Sequence, residues 1–367
     1  MKTARLIVAA SEQDANLLYA TGLFAPDPFI YFEIAGRRHV VMSDLEIDRA
    51  RRQATVDRVL SLSRYQKKYA VRSLGDLLPK LLLEFGIRGV EVPANFPIGL
   101  AKRLRGLRVI VIPDPFFPAR ELKTPMEQRH LTAALRLAEA GMQAGLDVIR
   151  QSRIGRGHYL YWRRQRLTAE QVQGVINSTI ASRGGNAAHT IVAGGNQGCD
   201  PHETGHGPLR AHQPIIFDIF PRDLKTGYWG DITRTVVRGR ASDQVRTLFS
   251  LVAQAQGIAF DQLRAGVDGQ VVHCAIRDLF DRQGFKTGRR NGRMQGFFHG
   301  TGHGVGLEIH EAPRIAPVPA VLQAGNVVTV EPGLYYPGVG GVRLEDVVVI
   351  NRDGCRNLTR FPKFLEF

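Results

Sequence analysis

Four acidic residues stand inside apolar, strand-like runs: Asp218 in "IIFDIF", Asp231 in "YWGDITRT", Glu331 in "VVTVEPGLYY" and Glu345 in "VRLEDVVV". Strands are depleted in acids, and a lone buried carboxylate is costly unless it is paired or protonated. One such residue reads as half of a structural ion pair. Four in one half of a chain need a shared counter-charge, and a pair of cations supplies it. Oxygen-rich ligation with one imidazole suits Mn, Co or Zn better than a thiolate-loving metal. Two ions about 3.5–4 Å apart can share bridging carboxylates.

The stretch "HGTGHGVGLEIHEAP", residues 299–313, offers the imidazole, since it holds three of the chain's 11 histidines. One would complete a metal set, and the others would line the pocket as donors to developing negative charge. Its glycines allow backbone and substrate to approach closely. Residues 202–206, "HETGH", match the zincin pattern H-E-x-x-H, which works only on a helix. Pro201, Gly205, Gly207 and Pro208 make this stretch a loop instead. His202 or His206 therefore reads as a pocket histidine.

With 367 residues, 44% hydrophobic and 23% charged, the chain is long enough for two domains with a sizeable core. Three scattered cysteines, Cys199, Cys274 and Cys355, make neither a disulfide framework nor a zinc ribbon. A reducing, cytoplasmic location is expected. The N-terminal sequence turns polar after a short apolar run, and no stretch reaches the roughly 20 apolar residues of a span, so neither signal peptide nor membrane contact is expected. The net charge of +15 is spread over Arg51-Arg52, Lys67-Lys68, Arg163-Arg164-Arg166 and Arg289-Arg290-Arg293. These clusters match no nucleic-acid module and read as solvated surface, so no nucleic-acid partner is expected.

Short apolar runs alternate with helical patterns up to the proline-rich "PDPFFPARELKTPME", which marks a boundary. Residues 1–118 are thus expected to form a small α/β domain. Just beyond it, Thr124 can cap a helix with Pro125 at its first position and Glu127 as capping-box partner. Leu131, Leu135, Ala138, Met142, Leu146 and Ile149 then recur at helical spacing as a core stripe. Residues 119–367 are expected to be α+β, an antiparallel sheet flanked by helices. The basic segment "RGHYLYWRRQRLTAEQV" reads as a helical cover.

In order, "GYWGDITRT", "HGTGHGVGLEIHEAP", "VEPGLYYPG" and "GGVRLEDVV" resemble the signatures of the pita-bread metallopeptidases, the family of aminopeptidase P, prolidase and methionine aminopeptidase. The resemblance covers residues from about 120 to 367. It implies a pita-bread catalytic domain preceded by a creatinase-like N-terminal domain. It also implies a metal set of Asp218, Asp231, His303, Glu331 and Glu345 around two divalent ions, Mn before Co or Zn. Asp231 and Glu345 would bridge the ions, and Glu331 would also be the general base. His202, His299 and His310 match the family's pocket histidines, with Arg343 supporting the ligands. The implied activity is hydrolysis of Xaa-Pro bonds at the N-terminus of short peptides with proline second, by a homodimer. His206 has no fixed counterpart in the family.

The sequence departs from the family in one place. Asp218 and Asp231 are 13 residues apart, where the common spacing is 11. A two-residue insertion in a hairpin keeps both side chains on one face, because strands alternate with period 2. Asp223, in the turn, is a poor substitute ligand. The alternatives are a methionine aminopeptidase, against which the N-terminal domain argues, and a binding protein with a dead metal site or a metal-free creatinase-type hydrolase. The last two would normally have lost a ligand, and none is missing.

Overall fold

The structure is a computed structural model that describes residues 2–187 and 189–367. It divides into two compact units, one ending at Arg120 and one spanning Glu121–Phe367.

In the first unit, β1 (Lys2–Ala9), β2 (Phe29–Ile34), β3 (Arg37–Met42), β4 (Arg58–Ser61), β5 (Ile87–Pro93) and β6 (Arg108–Ile112) build one six-stranded sheet. Its order is β4-β3-β2-β1-β5-β6, antiparallel across β1, β2 and β3 and parallel elsewhere. The helices are α1 (Ala15–Thr21), α2 (Ile47–Gln53), α3 (Leu62–Tyr69), α4 (Leu74–Glu84) and the short α5 (Ile98–Ala101). Alternation along the strands sends Leu6, Val8 and Phe32 into one apolar cluster and Ile7 and Tyr31 into the other. The run "PFIYFEIAGRRHVVMS" is two strands, because the chain turns at Ala35 and Gly36, both with positive φ.

The second unit starts with α6 (Pro125–Gln151). Its capping box is complete: the Thr124 side chain accepts from the Glu127 amide, and the Glu127 carboxylate accepts from the Thr124 amide. The segment read as a helical cover is instead a three-stranded ribbon, β7 (Arg153–Ile154), β8 (Leu160–Trp162) and β9 (Gln165–Arg166). Arg163 and Arg164 form its turn with positive φ, and period-2 alternation buries Leu160 below while Tyr161 stays partly exposed. Helix begins only after Thr168, at α7 (Ala169–Ala181). The sequence signal misled because arginine, glutamine and leucine suit helices, whereas ribbon pairing decided the outcome.

The antiparallel sheets follow. A short pair joins β10 (Gly185–Asn186) to β13 (Arg222–Asp223). A three-stranded sheet contains β11 (Ile191–Gly194), β12 (Pro214–Ile219) and β14 (Ile232–Val237). After α8 (Asp243–Gln262), α9 (Gly269–Arg282) and the hairpin of β15 (Gly288–Arg290) with β16 (Arg293–Gln295) come seven more strands. They are β17 (Gly302–Gly304), β18 (Glu311–Ile315), β19 (Val327–Val330), β20 (Gly333–Tyr336), β21 (Gly340–Arg343), β22 (Asp346–Ile350) and β23 (Cys355–Asn357). Five of them pair in the order β18-β17-β19-β22-β23, while β20 pairs with β21.

Two clasps tie these sheets together. The Thr235 hydroxyl donates to the Arg343 carbonyl at 2.9 Å and accepts from its amide, and the Glu345 amide donates to Thr233 O at 3.0 Å. Arg234, 2% exposed, donates to the carbonyls of Glu345, Phe361 and Pro362 and to Asp346 Oδ1 at 2.8 Å. Lys363 Nζ reaches the other oxygen of Asp346 at 2.5 Å. The C-terminal segment is thus bonded beneath the strand junction at residues 343–346.

Close approach of β17 to β19 demands a glycine at 302, where a Cβ would lie 1.9 Å from Thr329 O. Gly302→Ala is expected to cost more than about 3 kcal/mol, since the clash is with backbone that cannot rotate away. The shift of the urea midpoint at unchanged m-value checks it; a midpoint like the parent's would show that the two strands separate without cost.

Candidate metal centre

Asp218 lies in β12 directly opposite Thr233 of β14. Asp231 immediately precedes β14 and stands two residues before Thr233, so it falls on the same face. The extra residues between the two aspartates are taken up in the turn around β13. There Asp223 Oδ1 accepts from the amides of Lys225 and Thr226, so this carboxylate is committed to the turn. His303 is central in β17.

Glu331 and Glu345 do not lie inside strands as their sequence surroundings indicate. Glu331 follows β19 and Glu345 precedes β22, and Asp231 too sits at a strand end. At these points the chain exchanges one pairing partner for another. The Glu331 amide donates to Thr301 O, and Pro332 after it has no N–H to continue a ladder. The carboxylates therefore converge where pairing switches.

Asp231, His303 and Glu345 each present a ligand atom, all within 4.8 Å of one another and all buried. His303 Nε2 is 3.4 Å from Glu331 Oε1 and 3.8 Å from Asp231 Oδ2. Its Nδ1 lies 3.1 Å from Gly304 O. A carbonyl only accepts, so Nδ1 carries the proton and Nε2 keeps its lone pair toward the acids. Thr233 Oγ1 donates to Glu345 Oε2 at 2.8 Å, and Arg343 Nη2 donates to Asp218 Oδ2 at 2.7 Å. Among the described residues, the buried Asp218 Oδ1 has no hydrogen-bond partner.

The electrostatics show what this grouping lacks. Burial, then the charges of Asp218 and Glu331, push the Asp231 carboxyl well above its usual range. Glu345 is pushed well up by burial and by Asp231, Glu331 and Asp218. Glu331 rises to about 7, chiefly through burial. The His303 imidazole is held down at about 3 by burial and by His310, so it is a neutral donor. Acids that resist ionising together, a neutral imidazole with a free lone pair and an unpartnered carboxylate oxygen are the donor set of a hard or borderline dication. The residues present fit a metal centre.

This grouping opens onto a cavity of about 800 Å³ lined also by His202, His299, His310 and Arg343. His206 does not line it; its exposed ring lies 3.5 Å from Glu203. The "HETGH" stretch is a loop, with Gly205 at positive φ. His299 has both nitrogens engaged: Nδ1 donates to Gly300 O at 2.7 Å, and Nε2 accepts from Tyr335 Oη at 2.8 Å. Tyr335 Oη in turn accepts from Arg343 Nη1 at 2.8 Å. A continuous chain thus runs from Asp218 through Arg343 and Tyr335 to His299. The His310 ring stands edge-on to His303, with centroids 4.4 Å apart.

Several residues of the site, some lining the cavity and some behind it, are absent from the sequence reading. Tyr335 sits in the quoted "VEPGLYYPG" but looks there like an ordinary strand aromatic. Thr233, in "DITRT", carries no signal apart from its nearness to Asp231. Arg314 follows "HEAP" directly, lines the cavity, and has no carboxylate within ion-pair distance among the described residues. His189, Phe220 and Phe298 also face the cavity. Arg314 was the one detectable in principle, as a charge next to a motif histidine.

The pattern of metallopeptidase family M24 matches residues 129–352, which include all five proposed ligands. The chain is 27% identical to the Xaa-Pro dipeptidase of Pyrococcus horikoshii over 76% of its own length and 75% of that protein's. It is 30% identical to the Xaa-Pro dipeptidase of Pyrococcus furiosus over 69% and 67% of the two lengths. Its fold is that of the X-Pro aminopeptidase of Thermotoga maritima, with a TM-score of 0.82, 24% identity, and coverage of 100% of this chain and 97% of that one. The prolidase of Pyrococcus furiosus superposes with a TM-score of 0.80 at 22% identity, covering 98% and 97%. The pita-bread expectation therefore holds, and the chain belongs to metallopeptidase family M24.

Proposed function

We propose that the chain is a metal-dependent exopeptidase that cleaves the Xaa-Pro bond of short peptides, with two divalent ions held by Asp218, Asp231, His303, Glu331 and Glu345. The observation that carries this reading is the unpartnered Asp218 oxygen among buried acids and a lone-pair imidazole at the floor of a cavity. The names of the Pyrococcus relatives support the substrate class. The first unit is taken as the creatinase-like domain, Mn as the metal, and a homodimer as the assembly.

Bound ions would supply Lewis acidity and a water acidified toward neutrality. The chain's own groups do the rest. Asp231 and Glu345 would hold the ions together with His303, and Arg343 orients Asp218 from behind. Glu331 takes the proton of the attacking water and passes it to the departing proline nitrogen; a carboxyl with its pKa near 7 is suited to both roles. His310 and His202 donate to the developing oxyanion. His299 is locked through both nitrogens and fixes the pocket wall. Phe220, Phe298 and Ile309 offer apolar surface to the proline ring.

Arg314 favours the dipeptidase form of this reading. Among the described residues its guanidinium has no carboxylate partner, and a dipeptide brings a carboxylate into the cavity.

Metal-stripped protein given Mn is expected to hydrolyse Ala-Pro. Cleavage of Ala-Pro-Ala instead would make it an aminopeptidase, and release of methionine alone from Met-Ala-Ser would overturn the proline assignment. Glu331→Gln should lower kcat by about 10²–10⁴-fold. Arg314→Met should lower kcat/KM on Ala-Pro by roughly 10–100-fold, the value of one charged hydrogen bond, and leave Ala-Pro amide unaffected. Equal losses on both substrates would remove Arg314 from carboxylate binding.

Metal removal has its own signature. Glu331 titrates at about 7 against its usual 4.5, so between those values the folded metal-free chain binds more protons than the unfolded one. Its stability is therefore present below pH 4.5 and lost as pH rises toward 7. Between pH 5 and 7.5 the urea midpoint of stripped protein should fall relative to that of stripped Glu331→Gln; the buried neutral His299 and His303 act in the opposite sense but equally on both. Saturating Mn should raise the unfolding free energy at pH 7.5 by about 4 kcal/mol at 1,000 times Kd. Parallel metal-free profiles for the two proteins would mean that Glu331 is not buried among the other acids.

A further inference from the structure

Lys123 and Glu311 form an ion pair at 2.8 Å whose side chains are 2% and 6% exposed. Lys123 directly precedes the cap of α6, and its backbone is fixed: the amide donates to Gly325 O at 2.8 Å, and the carbonyl accepts from Gln128 Nε2. Glu311 is the neighbour of His310 and opens β18. One Glu311 oxygen faces Lys123, and the other accepts from the Glu308 amide at 3.0 Å. The carboxylate fills the hollow of the loop so closely that a Cβ on Gly306 would come within 2.6 Å of it. From the other side Trp229 closes the loop: its amide donates to Gly306 O at 2.9 Å, and its indole Nε1 to Leu307 O at 3.1 Å.

Stability alone does not account for this pair. A buried ion pair is no better for stability than apolar residues of the same shape, but it fixes geometry strictly, because neither charge tolerates losing its partner. What the loop Gly306–Glu311 presents to the cavity is Ile309 and the imidazole of His310, edge-on to His303. We propose that Lys123 is a positioning residue for His310: through Glu311 it holds the loop at the height that puts the imidazole over the reacting carbonyl. This rests on His310 acting as an oxyanion donor.

The test is a double-mutant cycle on the Mn-loaded full chain with Ala-Pro as substrate, comparing Lys123→Met, His310→Ala and the double variant. Lys123→Met is expected to lower kcat about 10–100-fold with KM within about twofold, and to cost less than about twofold once His310 is already alanine. Lys123→Arg should recover part of the loss. Glu311→Gln keeps the shape of the loop and should show the same non-additivity, which covers failure of the methionine variant to fold. A second readout needs no activity: the His310 Cε1–H NMR resonance should shift and broaden in Lys123→Met while that of His299 stays. Equal losses in both His310 backgrounds, or an unmoved His310 resonance, would overturn the proposal. A His310→Ala variant with full kcat would instead sink the role given to His310, leaving the resonance to decide the positioning.

Discussion

The second unit is organised around mutual repulsion. Four carboxylates are drawn to one place by strands and strand ends that are otherwise apolar, and burial beside one another's charges makes Asp231, Glu331 and Glu345 resist ionisation. Such a group persists only if it is protonated or neutralised by cations. Other features follow from this. Arg343 offsets part of the charge and uses its second nitrogen to hold Tyr335, and Thr233 holds Glu345. His303 is kept neutral, with its free nitrogen turned inward. Three of the four acids, Asp231, Glu331 and Glu345, sit where the chain changes pairing partners.

The centre was legible in the sequence because its chemistry contradicts its surroundings. Aspartate in "IIFDIF" and glutamate in "RLEDVVV" violate strand composition, and a violation repeated four times points to one cause. The α6 capping box was legible for the opposite reason, since local rules and final structure agree there. The ribbon at residues 153–166 was not legible: its residues favour helix locally, and only pairing with its own neighbours overrides them. The strand ends at Glu331 and Glu345 were hidden because a continuous apolar run does not reveal where pairing switches. Lys123 and Glu311 are 188 residues apart, and nothing local in either marks a partner.

The cavity combines a rigid floor with walls of different origin. The floor comes from β12, β14, β17 and the 343–345 junction. Arg314 comes from the strand after the His310 loop, and His202 from a glycine- and proline-rich loop. The floor is thus fixed by sheet register, and so is Arg314, which is paired with His303 across β17 and β18, whereas His202 is carried by a loop.

The Arg234 clasp bears on how the protein comes into being. Glu345 is the last of the buried acids in the sequence, yet its carbonyl shares one guanidinium with the carbonyls of Phe361 and Pro362. A growing chain that has just released Glu345 from the ribosome holds every donor atom but not the segment that secures the last of them. The first unit, complete by Arg120, can fold well before this. The turn that carries Glu345 is therefore secured only once residues 361–363 are present to share Arg234 with it.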